Sequence, residues 1–253
     1  MATVPLPPPQ PSQESAPLSE GQRLLYTFFA PSRTFTDLKR NASWWAPYLI
    51  IAIVSVLFVS VVSQKVGFRK VVDNLIQLQP KQADRIDSLP AARRETVIQQ
   101  QVAFTKILSY AIPVIALIIY AILAGVLFGT LKFAANADLK YKHLFAVVVY
   151  SRLPELLMSL LAILSLLAGV SVDAFNIQNP AATNPGYFLD PSASPVLRAL
   201  LTPFDVFTIW SMVLIAIGIT CIGKVKRGTA YAVVFGWFAI MVLARVGLAA
   251  ATS

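Results

Sequence analysis

The chain of 253 residues is 57% hydrophobic and only 13% charged, with a formal net charge of +9. A soluble domain typically has about 25% charged residues, so this composition excludes an ordinary soluble protein. The Lys and Arg residues lie mostly between long apolar stretches, where they orient helices and meet anionic lipid headgroups, so the positive charge does not indicate nucleic-acid binding. The single cysteine, Cys221, excludes an intramolecular disulfide.

The N-terminal residues 1–20 are rich in proline and are predicted to form a disordered tail. They are followed by a short helix, because Ser19 and Gln22 have the spacing of a capping box. Pro31 is expected to end this helix, since proline lacks the amide hydrogen that a helix interior requires.

Segment 24–40 combines apolar residues on one side with flanking basic residues, and Thr34 and Asp37 repeat the cap spacing within it. This pattern is typical of a helix that lies on a membrane surface and binds anionic headgroups. We therefore predict an N-terminal interfacial helix whose basic residues are Arg23, Arg33, Lys39 and Arg40.

Five apolar stretches approach or exceed the length of about 20 residues that a helix needs to cross a bilayer. Backbone amides inside hydrocarbon must find partners within the protein, so the fold class is all-α. The chain is predicted to be a polytopic membrane helix bundle, a single membrane domain over 21–253 with five transmembrane helices at 46–63, 107–133, 144–169, 206–223 and 229–251.

The polar segment 64–106 is predicted to be a helical insert between the first and second spans. Its first helix has five apolar residues at helical spacing, and Pro80 ends that helix. A second helix begins near Pro90 and continues into the second span, where Pro113 is expected to introduce a kink. The later connection, 170–202, reads as an irregular loop with one short helix at 195–201.

The second span has small residues at every fourth position: Ala121, Gly125 and Gly129. Such spacing allows two helices to approach closely. The favoured interpretation is packing within this bundle, and the alternative is a homo- or hetero-oligomer formed through this face.

Basic residues are distributed equally between the two sides of the five-span layout, unless the long segment 64–106 is set aside. Without that segment most of them lie on the N-terminal side, and the positive-inside rule is weaker for long loops. The sequence therefore predicts an integral membrane protein with a cytosolic N-terminus.

Arg152 and Glu155 are charged residues within the third span, with Pro154 between them. A charge at the centre of a membrane helix costs at least about 2.5–3.5 kcal/mol, so such residues often indicate function. Their spacing of three places them on one helix face, where they can pair. They form either a self-satisfied structural pair or part of a functional site.

Two other polar residues, Asp205 and His143, are interpreted as structural rather than as members of a functional site. Asp205 is interpreted mainly as a helix cap, at the third position of a helix that Thr202 caps. His143, beside two lysines at a span end, is interpreted as an interfacial anchor. We predict no catalytic, cofactor-binding or metal site, because the chain shows no Gly-rich phosphate loop, zinc spacing or nucleophile–base arrangement.

Several short motifs occur in a recognisable order: FFAPSRTF at 28–35, WWAP at 44–47, YSRLPELL at 150–157 and PFDVFTIW at 203–210. This order resembles the Yip1 domain family, which are five-span membrane proteins with a cytosolic N-terminus. The resemblance implies that Tyr150, Pro154 and Leu157 belong to the family's tyrosine-and-proline motif in span three, although Val149 replaces the glycine that commonly precedes the tyrosine.

The resemblance also bears on function. Eukaryotic members are associated with Golgi and ER trafficking and Rab-type GTPases, but their acidic segment before span one is missing here. The long polar insert looks more like that of prokaryotic members, so the resemblance implies the bacterial inner membrane, or the ER or Golgi for a eukaryotic chain. We predict a non-enzymatic membrane protein that organises or shapes membrane or scaffolds partners. The alternative is a small transporter or permease subunit that uses Arg152 and Glu155, and a membrane enzyme ranks third.

Overall fold

A computed structural model describes residues 16–173, 175–190 and 192–252. Most of the predicted tail, 1–15, lies outside these residues. Within them every regular element is helical. The elements are α1 (Glu20–Phe29), α2 (Pro31–Asp37), α3 (Trp45–Lys65), α4 (Phe68–Gln77), α5 (Pro80–Asp87), α6 (Ala91–Tyr110), α7 (Ile112–Ala134), α8 (Tyr141–Ser151), α9 (Glu155–Leu167), a 3₁₀ helix (Pro185–Phe188), α10 (Pro195–Leu201), α11 (Val206–Ile222) and α12 (Arg227–Thr252).

The predicted spans correspond to these helices within a few residues. Four units, namely α3, α7, α8 with α9, and α12, are long and apolar enough to cross a membrane, and α10 with α11 makes a fifth if this pair, bent by 45°, is one span. The second span begins at Ile112 rather than at 107, because α6 ends at Tyr110. Pro113 lies in the first turn of α7, where its missing amide hydrogen is tolerated.

The centre of the bundle is formed by α8 and α11, which pack against each other and against α2 and α7. Their contact is close because Gly218 of α11 faces Val147 of α8. A Cβ atom added to Gly218 would lie only 2.2 Å from Cγ1 of Val147. Only glycine fits at this crossing without a shift of one helix.

The small residues of α7 are placed differently. Cβ atoms added to Gly125 and Gly129 would meet no atom within 4 Å. The carbonyl of Ala121 accepts a hydrogen bond of 3.0 Å from the hydroxyl of Tyr141 on α8. The two glycines thus make no close contact within this bundle, and the face remains a prediction for contact with another chain.

Helices α1 and α2, the segment predicted to be interfacial, form a hairpin that packs against the bundle. Phe35 and Leu38 are completely buried, and α2 packs along α11. The ring of Phe28 meets Trp210 of α11 edge-on at 5.8 Å. The apolar surface of α2 and Phe28 is thus covered by protein, whereas Leu25 and Phe29 of α1 are 55% and 80% exposed. The sequence pattern alone does not distinguish contact with protein from contact with lipid.

The predicted caps of the hairpin had different outcomes. Ser19 and Gln22 form the capping box of α1 as expected. Thr34 does not cap α2, which begins at Pro31 without a side-chain cap. The hydroxyl of Thr34 instead donates to the carbonyl of Arg23 at 2.9 Å, so this residue joins the two helices of the hairpin.

The polar insert follows the C-terminal end of α3 and forms the amphipathic helices α4 and α5 and much of α6. The insert docks on the connection after α9, since the Asn74 amide donates to the carbonyls of Val172 and Phe175, both at 2.9 Å. The Arg69 guanidinium bonds Glu95 at 2.7 Å and holds the pKa of that carboxyl below its usual value. These contacts place the insert and the long connection at the same end of the bundle.

Candidate functional site

The long apolar run of the third span suggested one continuous helix, but the structure shows two. Helix α8 ends at Ser151 and α9 begins at Glu155, with Pro154 in the intervening turn. The amides of Arg152 and Glu155 each bond the carbonyl three residues earlier, at 3.2 and 3.1 Å. Such tightened turns keep the backbone satisfied where proline removes a donor, so the break is compatible with a membrane interior.

Arg152 and Glu155 pair across this break. Nη1 of Arg152 donates to Oε1 of Glu155, and the two side chains are 17% and 27% exposed. The guanidinium carbon lies 5.6 Å from the centre of the Tyr120 ring on α7, within the range of a cation–π contact. Nε of Arg152 is buried and has no hydrogen-bond partner among the described residues.

A second polar network joins the N-terminal hairpin to α8. The Tyr150 hydroxyl donates to Glu20 at 2.8 Å, and Arg23 contacts Glu20 at 3.2 Å. The Arg23 guanidinium also donates to Asp37 at 2.7 Å, through Nε and through Nη2. Arg23 is only 3% exposed, Asp37 7% and Tyr150 0%. Charged groups this deeply buried are tolerated only when they are paired.

The charge of Arg23 is well supported in this network. Burial lowers the pKa of its guanidinium. The hydrogen bond and the charge of Asp37 raise that pKa, and the net pKa lies above the usual value. Sequence reasoning selected Tyr150 but not the other three members of this network, namely Glu20, Arg23 and Asp37. The available signal was a polar stripe on α1, where Glu20, Arg23 and Thr27 occur at helical spacing.

Asp205 is the N-cap of α11. Its carboxylate accepts hydrogen bonds from the amides of Phe207 at 2.9 Å and Thr208 at 3.1 Å. The interpretation as a cap is confirmed, but the position is corrected: Asp205 is itself the cap, while Thr202 closes the end of α10. The hydroxyl of Thr183 also bonds this carboxylate, so Asp205 ties the connection to the start of α11.

An apolar groove of about 300 Å³ runs between α7, α11 and α12, and Arg152 forms part of its wall. Its other lining residues include Ile122, Val126, Met212, Trp237 and Phe238. The indole of Trp237 donates to the Thr130 hydroxyl at 3.0 Å and so bridges α12 and α7. Within 16–173, 175–190 and 192–252, no group of three His, Cys, Asp or Glu residues could hold a metal ion.

Comparison with known proteins places this architecture in a family. The model of the Yip1 domain matches residues 25–247. The chain belongs to the Yip1 domain family. It is also similar to the membrane protein YknW of Bacillus subtilis (strain 168), at 24% identity over 231 residues, which are 91% of this chain and 89% of YknW. No solved structure matches the chain significantly.

The Yip1 match contains both the tyrosine-and-proline segment of α8 and Asp37, whereas Glu20 and Arg23 precede its first residue. The network around Tyr150 therefore joins the Yip1 domain to the chain just before it. The same domain contains the Arg152–Glu155 pair at the break in span three.

In this Yip1 protein Arg152→Leu and Glu155→Leu should each destabilise the fold by about 1–3 kcal/mol, because each leaves the other polar group without its partner in a poorly solvating environment. The double variant should recover most of the loss, since two apolar side chains need no partner. Thermal unfolding in detergent measures this. A double variant as unstable as the sum of the single variants would mean that the two residues do not depend on each other.

Proposed function

We propose that this Yip1 domain protein is a non-enzymatic scaffold, which organises partner proteins and lipids around a stable membrane bundle. The supporting observation is that its deeply placed charged residues pair with one another. Arg23 bonds Asp37, and Arg152 bonds Glu155. Side chains engaged in this way hold helices together, whereas a solute path needs polar groups that are available to the solute. For this reason the transporter alternative is not favoured.

The outer helices support lateral contacts. Helices α7 and α12 are strongly apolar, yet few of their residues are buried within the chain. Ile122 on α7 is 60% exposed and Leu243 on α12 is 68% exposed. Gly125 and Gly129 present open space on α7 where a helix of another chain could approach. This face is our candidate for a homo- or hetero-oligomer contact, and the bilayer covers the rest.

Photo-crosslinking in native membranes tests the scaffold. A photoreactive residue at Gly125 should give a discrete protein adduct, either a second copy of this chain or another membrane protein. The matched control is the same residue at Ile53, which is 58% exposed on α3 and should give lipid adducts. If Gly125 also gives lipid adducts alone, the proposed contact through α7 is wrong.

We further propose that the protein resides in a cytoplasmic membrane with its N-terminus in the cytosol. The similarity to a Bacillus subtilis membrane protein supports a bacterial membrane, and the basic residues near the N-terminal end support the orientation. Docking of Asn74 on the connection after α9 requires both polar segments to share one side.

Single-cysteine labelling in a Cys221→Ser background should therefore divide three exposed positions into two groups. Cysteines at Asp84 and Ala182 should react with an impermeant maleimide in intact cells, and a cysteine at Lys224 only after permeabilisation. Labelling of Lys224 alone in intact cells would reverse the orientation, and different results for Asp84 and Ala182 would contradict the shared side.

A further inference from the structure

The groove between α7, α11 and α12 has properties of a ligand site that the scaffold role does not explain. Its walls are mainly aliphatic and aromatic, including Trp237 and Phe238, but one wall contains the charged side chain of Arg152. Small-molecule sites commonly have this character, with a largely apolar lining and a few polar groups that fix orientation. The lipid-exposed position of Ile122 at its edge makes the groove accessible from the bilayer.

Arg152 has hydrogen-bonding capacity that its protein partners do not use. A guanidinium carries five N–H donors. The one side-chain hydrogen bond found for Arg152 among the described residues goes from Nη1 to Glu155, Nε is buried without a partner, and the side chain as a whole is 17% exposed. Nε itself is inaccessible from the groove, so a ligand can reach only the exposed part of the guanidinium. An acceptor at that part of the wall would gain a strong interaction in this low-dielectric site.

The charge of the pair determines which acceptor fits. Arg152 is already neutralised by Glu155. A carboxylate or phosphate would add an unpaired negative charge to an apolar groove, which costs far more than it gains. A neutral carbonyl oxygen accepts the free N–H groups without this penalty.

The depth of Arg152 in the membrane further restricts the class of ligand that can reach it. Roughly 17 Å of helix precedes Arg152 in the span Tyr141–Leu167, at about 1.5 Å per residue. The hydrocarbon core is about 30 Å thick, so Arg152 lies near its middle. Phospholipid ester carbonyls lie at the edges of this core, and only the ends of their acyl chains reach the middle. A carbonyl at this depth belongs to a molecule dissolved within the hydrocarbon.

We propose that the groove binds a neutral, lipid-soluble quinone, with a ring carbonyl accepting from the Arg152 guanidinium. The flat ring packs against the aromatic wall at Trp237 and Phe238, and the tail extends into the bilayer past Ile122. No electron transfer is involved. The groove shares Ile122 with the candidate contact face at Gly125. Binding is therefore tested on the purified protein, where its outcome does not depend on which partner that face contacts.

The test is titration of the purified full-length protein in detergent with decylubiquinone, followed by quenching of tryptophan fluorescence. Saturable quenching is expected, because Trp237 lines the groove. The apparent affinity should fall about tenfold or more in the double variant Arg152→Leu/Glu155→Leu, which removes the donor without leaving an unpaired charge. Decylbenzene, which has a ring and chain but no carbonyl, should compete poorly.

A matched pair of substitutions on α7 tests the location separately. Val126→Phe fills the groove and should abolish saturable quenching. Val114→Phe, the same change at a position that is 61% exposed and outside the groove, should not affect it. The proposal is overturned if decylbenzene competes equally and the double variant binds normally, because the groove then accepts any hydrocarbon. It is also overturned if Val126→Phe binds as well as Val114→Phe.

Discussion

Asp37→Ala should lower the free energy of unfolding by about 3–5 kcal/mol, the typical cost of removing one partner from a buried ion pair. The reason is that Arg23, only 3% exposed, would lose its hydrogen bonds to Asp37 and remain charged inside the bundle. The hairpin of α1 and α2 would then separate from α8 and α11. Thermal unfolding of the detergent-purified protein measures the loss.

Two variants determine whether this loss comes from the pair. Arg23→Met combined with Asp37→Leu should be much more stable than Asp37→Ala alone, because no deeply buried charge remains. Glu20, which loses its contact with Arg23, is 31% exposed and keeps its hydrogen bond from Tyr150. Arg33→Met removes an exposed arginine from the same hairpin and should change stability little. If Asp37→Ala is no worse than Arg33→Met, the network around Tyr150 does not hold the hairpin.

Gly218→Leu should destabilise the protein by about 3 kcal/mol, at the upper end of the usual cost of overpacking a core. Even a Cβ at this position would lie 2.2 Å from Cγ1 of Val147, so α8 and α11 would have to move apart. Unfolding of the purified variant, followed by circular dichroism against temperature, measures this effect.

The control is the same substitution on α7. Gly125→Leu has open space around it and should be neutral or slightly stabilising, since leucine favours helix more than glycine does. Val147→Ala should partly rescue Gly218→Leu because it removes the clashing methyl groups. Equal destabilisation by Gly218→Leu and Gly125→Leu would contradict the close crossing of α8 and α11.

These two glycines show where sequence reasoning reaches its limit. Gly125 attracted attention because small residues recur at every fourth position on α7, yet its surroundings are open. Gly218 has no such pattern around it, yet it lies where α8 and α11 cross in close contact. Spacing along one helix indicates which residues share a face, but it does not indicate which partner helix, if any, covers that face.

The candidate site shows the same division. The spacing of Arg152 and Glu155 predicted their contact because both residues lie on one turn of the same chain segment. Arg23 and Asp37 are separated by a helix end and the turn at Ala30, so no local periodicity connects them. Their pairing follows only from the packing of α1 on α2.

By itself the sequence determined the membrane class, the helical fold, the approximate spans and local features such as the cap at Ser19 and the helix at Pro195–Leu201. These properties depend on composition and on interactions between residues a few positions apart, and both can be read directly from the sequence. The tertiary structure alone decided that the N-terminal hairpin packs into the bundle, that Arg152 lines a groove and that Gly218 sits at a crossing. Apolar side chains gain similar free energy from lipid and from protein, so only the packed arrangement of helices distinguishes the two.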